Sequence, residues 1–284
     1  MAPVGIVTDS VSCLPPELIR EYDIRVVPVG LVIDRKTYRD QVDITPAEFY
    51  RIYPGLKERP TTTAPSPGEF AEIFTQVAQN TDSILCIVVS SLLSAIHGSA
   101  EQARQLMKEE NPRLKIELVD SKTAAGALGF IVLEAARAAK GGKSLAEVLQ
   151  TARDMIPRVK FLAVLDTLKY LIKGGRAPKV AILGEILQVK PIIGLVSDRG
   201  MVDPLSRART KRRSLAKMVD MLPQYTDVTQ PLHVMVNYSE DRAEGEELLR
   251  AITSRFNCVE AYLTELTPVM SCHSGPMVGI SFYV

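Results

Sequence analysis

The run Ile84-Leu-Cys-Ile-Val-Val89 is apolar throughout, and the stretch that follows, Ser90-Ser-Leu-Leu-Ser-Ala-Ile-His-Gly-Ser99, is rich in hydroxyls. A run of that length, rich in Val and Ile, suits a strand buried on both faces. A charged, helix-forming segment, Ala100 to Glu110, comes next. A strand that needs cover on both faces calls for a mainly parallel sheet with helices above and below. In such open sheets ligands bind outside the carboxyl ends of the strands. The first turn of a following helix presents unpaired N–H groups there, which favour an anion. Ser94 and its neighbours therefore point to a site for an acidic group.

The rest of the chain repeats the alternation. Val4 to Ser10 reads as a strand ending in Thr-Asp-Ser, and Pro15-Pro16 opens a helix through Tyr22. Ile24 to Ile33 reads as one further strand, and Thr37 to Asp43 as a polar excursion or hairpin. Thr45-Pro-Ala-Glu48 is a capping box that starts a helix near Pro46. Pro60, Pro65 and Pro67 make Arg59 to Gly68 extended and stiff, with three threonine hydroxyls on it. Ser66 then caps another helix. Lys115 to Ser121 is a strand, followed by a small-residue helix from Ala124. Gly126 and Gly129 inside that helix cost about 1 kcal/mol each relative to Ala, which implies close approach of backbone to something else. A helix from Leu145 to Met155 leads to a border at Pro157.

Beyond it lie a strand, Phe161 to Leu165; a short helix from Leu168; an apolar stretch, Val180 to Val189; and a hairpin within Pro191 to Leu205. A basic cluster from Arg207 to Lys217 leads into a helix. Leu232 to Val236 is a strand and Asp241 to Phe256 an amphipathic helix. The end suggests two strands around a polar turn, Ser271 to Gly279. The expected architecture is two α/β domains, residues 1–157 and 158–284. The first has a mainly parallel sheet with helices on both faces, and the second, the smaller domain, has a mixed sheet.

Several function classes are disfavoured by composition. The formal charge of +1 gives no global attraction to nucleic acid or membrane surface. The N-terminus lacks the features of a signal peptide, and no apolar segment is long enough for stable membrane insertion. Cys13, Cys86, Cys258 and Cys272 are scattered and read as free thiols of a reducing cytoplasm. His97, His233 and His273 are too dispersed for a dedicated metal site. No GxSxG, GxGxxG or HExxH occurs, and Lys140-Gly-Gly-Lys-Ser144 lacks the upstream glycine of a phosphate-binding loop. The residues alone leave open a hydrolase or transferase using Ser94 with His273. They also leave a nucleic-acid or regulatory protein using the basic cluster, against which the charge and the absence of Trp argue.

Seven segments in order, over essentially the full length, resemble the DegV family. They are Thr8-Asp-Ser10, Pro60-Thr-Thr-Thr-Ala-Pro-Ser66, Ser90-Ser-Leu-Leu-Ser94, Asp120-Ser121, Tyr170-Leu-Ile-Lys-Gly-Gly-Arg176, Lys190-Pro191 and His273-Ser-Gly-Pro276. The resemblance implies a bacterial, cytoplasmic protein that holds a long-chain fatty acid between two α/β domains. It implies no cofactor and no catalysis by the chain itself. Its expected partner is the ATP-binding subunit of a fatty acid kinase, which phosphorylates the carboxylate while this chain carries the lipid. Carried over residue by residue, the family's motifs place the carboxylate on Thr62, Ser94 and His273. Thr63, Ser91 and Gly275 support the head-group loops, and Arg176 serves the phosphoryl group or the kinase subunit. The sequence departs from the family pattern at Ala64, where Gln is usual, and at Ala95 and Met277, where Gly is usual. A carboxylate in a dry cleft must have donors, because an unpaired buried charge costs several kcal/mol. Hydroxyls and an imidazole supply them, and Val180 to Val189 is a candidate wall for the acyl chain.

Overall fold

The computed structural model describes residues 4–176, 189–196 and 199–284. Its strands are β1 (Gly5–Asp9), β2 (Arg25–Val27), β3 (Gly30–Ile33), β4 (Lys36–Arg39), β5 (Thr61–Thr63), β6 (Ser83–Val88), β7 (Lys115–Asp120), β8 (Lys160–Leu165), β9 (Lys190–Leu195), β10 (Asp203–Ala208), β11 (Leu232–Tyr238), β12 (Cys258–Glu265) and β13 (Met277–Tyr283). Its α-helices are α1 (Pro16–Glu21), α2 (Pro46–Ile52), α3 (Pro67–Ala78), α4 (Ile96–Glu110), α5 (Ala125–Lys140), α6 (Leu145–Met155), α7 (Lys169–Gly174), α8 (Lys211–Met221), α9 (Arg242–Thr253) and α10 (Pro268–Ser274).

The fold is α/β with two main sheets. The first is fully parallel, in the order β2-β1-β6-β7. β6 lies inside it and is buried from Ile84 onward, as its unbroken apolar run requires. Helices α3 and α4 pack together on one face, and α5 and α6 on the other. The second sheet is mixed, in the order β10-β9-β8-β13-β11-β12. It has more strands than the first. Side chains of β8 alternate: Phe161, Ala163 and Leu165 join the core shared with the parallel sheet, while Leu162 and Val164 join the core under α8 and α9. Pro157 lies in the turn between α6 and β8. No helix among the described residues is long and apolar enough to cross a membrane.

Helix α5 touches β1 and β6 of one sheet and β8, β11 and β13 of the other. The two glycines permit this. A Cβ on Gly126 would fall 2.7 Å from Met235 Sδ and 2.9 Å from Asn237 Oδ1, and one on Gly129 would fall 2.7 Å from the carbonyl oxygen of Ser12. Asn237 Oδ1 accepts the Gly126 N–H at 3.2 Å, so a strand of the second sheet caps the helix.

A small third sheet, β4-β3-β5, is antiparallel. It corrects one expectation. Residues 24–33 form two strands in two sheets, not one. Pro28 has no N–H for a ladder and separates β2 from β3. The hairpin from β3 to β4 turns at Asp34 and Arg35, whose φ values of 47° and 66° are those of a type I′ turn. A second correction concerns the C-terminal polar turn. Residues 268–274 are helical, with Pro268 at the first position and Gly275, at φ 66°, ending the turn. Seven residues are too few to display a helical period. The helix expected from Ala100 begins earlier, at Ile96. Of the candidate acyl wall, residues 180–188 lie outside the described residues.

Candidate functional site

A cavity of about 250 Å³ lies between the two main sheets. That is far more than the roughly 10–15 Å³ that one water needs. Val11, Val29 and Val89 from the first half of the chain and Phe161, Ile193 and Leu195 from the second give it apolar walls. Thr62, Ser94, Arg176 and His273 also line it and supply its polar groups, together with Ser274.

Each of these side chains is placed by local structure. Thr62 sits on β5, paired opposite Leu31 of β3. Thr61 and Thr63 are exposed and Thr62 is half-buried, the alternation of a strand. Ser94 lies in the loop from β6 to α4. Its N–H donates to the carbonyl of Ser90, and its Oγ accepts from the Ile96 N–H at 3.4 Å. Asp9 secures the strand ends behind this loop by accepting from the N–H groups of Val11 and Val89 at 2.9 and 2.8 Å. His273 projects from the last turn of α10. Arg176 follows α7, where its Nη1 donates to the carbonyl of Gly174 at 2.6 Å and its Nε to that of Leu93 at 3.3 Å.

The three residues expected to support the head group stand elsewhere. Thr63 is exposed and donates to the carbonyl of Ala64. Ser91 is exposed and donates to Asp120 through both its N–H and its hydroxyl. Neither lines the cavity. Gly275 acts through shape: a Cβ there would fall 2.3 Å from the Tyr170 ring. By contrast Ala64, Ala95 and Met277, the three departures from the family pattern, all line the cavity.

Thr62 Oγ1 and His273 Nε2 are 2.8 Å apart. Burial, with the charges of Arg176 and Arg59, pushes the imidazole down to about 4, so it is neutral at pH 7. His273 Nδ1 is buried without a hydrogen-bond partner among the described residues. Leaving a lone pair unpaired costs less than burying an orphan N–H, so we assign the proton to Nε2. The imidazole then donates to Thr62, and the Thr62 hydroxyl is free to donate into the cavity. This arrangement lacks the pattern of nucleophilic catalysis. Nε2 is engaged with Thr62 rather than Ser94, and among the described residues no carboxylate orients Nδ1. In the basic cluster, Lys211 is neutralised by Glu244 at 2.7 Å and Asp166 at 3.3 Å.

Sequence reasoning missed Arg59. Its Nη2 donates to the carbonyls of Tyr170 at 3.0 Å and Cys272 at 2.7 Å. Its place just before Pro60 was the available signal, and that signal is weak.

Comparison with known proteins extends this picture. The family model described as "Uncharacterised protein, DegV family COG1307" matches residues 3–284. The DegV domain-containing protein TTE1491 of Caldanaerobacter subterraneus subsp. tengcongensis is 37% identical over 279 residues, covering 97% of this chain and 96% of that protein. Among solved structures, a DegV family protein from Thermus thermophilus, described by its fatty acid binding, superposes with a TM-score of 0.89 at 29% identity, covering 99% of both chains. A stearic acid-binding protein from Eubacterium ventriosum superposes with a TM-score of 0.90 at 26% identity, covering 99% of this chain and 98% of that one.

Proposed function

The chain belongs to the DegV family, and we propose that it binds a long-chain fatty acid in the cavity between an N-terminal unit, residues 1–157, and a C-terminal unit, residues 158–284. The carboxylate accepts from Thr62 and Ser94 at the end where His273 stands, and the acyl chain runs along the valine, isoleucine, leucine and phenylalanine walls. The bound lipid is presented to a separate ATP-binding kinase subunit, which transfers the phosphoryl group to the carboxylate. Arg176 serves that step. The chain itself is a carrier, and it works in the cytoplasm.

The observation that carries this reading is the neutral Thr62–His273 pair in a cavity whose other polar lining groups are Ser94, Ser274 and Arg176 and whose remaining walls are apolar. An acidic head finds donors there, and a hydrocarbon tail finds nothing that needs water. Relatives described as fatty acid binding and stearic acid-binding support it. Each buried CH₂ contributes about 0.8 kcal/mol, so about fifteen contribute about 12 kcal/mol before the costs of association. Neutral donors leave the carboxylate oxygen more nucleophilic than a direct ion pair would.

Native mass spectrometry of the purified protein, followed by solvent extraction, tests the reading. A mass increment that extraction identifies as fatty acid is expected. Absence of co-purified lipid, together with no retention after incubation with saturated and unsaturated chains, overturns it.

A further inference from the structure

We propose that Arg59 is the positioning residue of this head-group site: one guanidinium fixes the segments that carry Thr62, His273 and Arg176 and holds a permanent positive charge behind the imidazole. The proposal rests on the fatty acid reading above.

Arg59 makes three contacts with two residues, Tyr170 and Cys272. Nη2 donates to the carbonyl of Tyr170 in α7 and to that of Cys272 in α10. The Cys272 carbonyl is among the last four of its helix, which no helical N–H satisfies. A cation there also suits the negative end of the helix. The guanidinium carbon lies 5.5 Å from the centre of the Tyr170 ring, within cation–π range. Next along the chain, the carbonyl of Pro60 accepts from Cys272 Sγ at 2.8 Å. β5 begins at the following residue and carries Thr62. One side chain thus ties α7 to α10 at the start of β5.

The charge is placed as carefully as the contacts. A Cβ on Gly174 would fall 3.3 Å from His273 Nδ1 and 3.6 Å from Arg59 Nη2, so both approach the same bare backbone position. Arg59 makes no ion pair among the described residues, and its Nε is buried without a partner. Among the described residues, Thr62 Oγ1 meets His273 at Nε2, and Arg59, Arg176, Tyr170 and Cys272 stand around it; the two arginines act on its titration, and no described carboxylate does. A half-buried cation without a counter-ion favours an anion close by. The carboxylate of the ligand fills that role from the far side of the imidazole. Its direct donors stay neutral and Arg59 does not touch it.

Arg59→Met removes the charge and both donors while keeping an apolar stem. The test compares it with the wild-type protein and with Arg59→Lys. Oleate affinity, the NMR titration of His273 and the melting temperature are measured on each. In Arg59→Met, oleate affinity at pH 7 should fall about tenfold, the order of a through-space attraction acting across the imidazole, and the His273 midpoint should rise. Arg59→Lys should restore both, since an ammonium keeps the charge and has donors for two carbonyls. A purely structural role would lower the melting temperature and leave the His273 midpoint in place. If Arg59→Met binds oleate as the wild type does, or leaves the His273 midpoint unmoved, the proposal is overturned. If Arg59→Met does not fold, Arg59→Gln carries the same readings, and failure of both to fold overturns the positioning role in favour of a structural one. Failure of the wild-type protein to bind oleate strikes at the fatty acid reading instead, and is thereby distinguished.

Discussion

Thr62 Oγ1 and His273 Nε2 meet at 2.8 Å although 211 positions separate them in the chain. The pair lines the cavity, and its chemistry sets the first expectation. Thr62→Val keeps the shape of the side chain and removes the hydroxyl. A hydrogen bond to a charged group contributes about 1.5–3 kcal/mol, so fatty acid affinity should fall about 10- to 100-fold at pH 7. Ser94→Ala should weaken binding in the same direction. Displacement of a fluorescent fatty acid measures both. Retention of wild-type affinity by Thr62→Val would place the carboxylate elsewhere.

The second expectation concerns pH. Burial and two arginines hold His273 near 4, below its ordinary value of 6.5. A neutral imidazole from pH 8 down to pH 6 predicts no His-linked step in fatty acid affinity over that range. The stability contribution has a definite sign. The unfolded chain binds the proton more readily, so the contribution is fully present above pH 6.5 and is lost as the pH falls through about 4. An NMR titration of His273 that gave a midpoint near 6.5 would contradict the buried, neutral imidazole on which the donor assignment rests.

Two buried carboxylates act in the opposite sense. Burial raises Asp9 to about 6 and Asp40 to about 7, from an ordinary 3.8. Asp40 Oδ2 accepts from the Ser10 hydroxyl at 2.6 Å, and hydrogen bonds from Ser10, Thr267 and the Val269 backbone offset only part of the effect of burial. Here the folded chain binds the proton more readily. Their contribution is fully present below 3.8 and is lost as the pH rises through about 6 and about 7. Asp40→Asn removes the larger of the two penalties, so its melting temperature relative to wild type should improve more at pH 8 than at pH 5. Equal shifts at both values would show that Asp40 does not titrate in this range.

The helix glycines give an expectation about stability. A Cβ on Gly129 would meet the backbone carbonyl of Ser12, which cannot swing aside as a side chain can. Overpacking of this kind costs about 1–3 kcal/mol, partly offset by the roughly 1 kcal/mol that Ala gains over Gly in a helix. Gly129→Ala should therefore lose about 1 kcal/mol in urea unfolding, where helix propensity alone predicts a gain. A more stable variant would mean that α5 sits less tightly against the loop after β1.

Much of this was legible before any coordinates. The buried β6, the helix starts at Thr45 and Ser66, and the close approach demanded by Gly126 and Gly129 follow from local rules of burial, capping and backbone freedom. Those rules act over a few residues, and where neighbours in space decide, they fail. Pro28 divides a run that looked continuous because one half pairs with β1 and the other with β5. Residues 268–274 are helical in a segment too short to show a period. The site divides the same way. Thr62, Ser94 and His273 were named from motifs, and the cavity gathers them together. Ser91 and Thr63 were named from the same motifs as supports of the head-group loops; strand alternation leaves Thr63 exposed, and Asp120 holds Ser91 outside the cavity lining. Arg59 carries no motif, because its role comes from two helix ends that lie more than a hundred residues further on.

Arg176 offers the last expectation, and it separates holding the lipid from modifying it. Among the described residues its hydrogen bonds go to backbone carbonyls, those of Gly174 and Leu93, and the Leu93 bond is long at 3.3 Å. With Thr62 and Ser94 as the proposed neutral donors to the carboxylate, Arg176→Ala should leave fatty acid affinity within about threefold of wild type, under 1 kcal/mol. The phosphoryl group brings new negative charge to the same end of the cavity, and a guanidinium there is suited to it by geometry and by charge. Acyl phosphate formation with the kinase subunit should therefore fall about tenfold or more, the loss of at least one charge-assisted hydrogen bond. Arg176→Lys should recover part of that rate, keeping the charge without the planar fork. Measuring lipid affinity and acyl phosphate formation on the same protein preparation decides the matter. If Arg176→Ala loses both in proportion, Arg176 belongs with Thr62 and Ser94 as a carboxylate ligand rather than with the phosphoryl transfer.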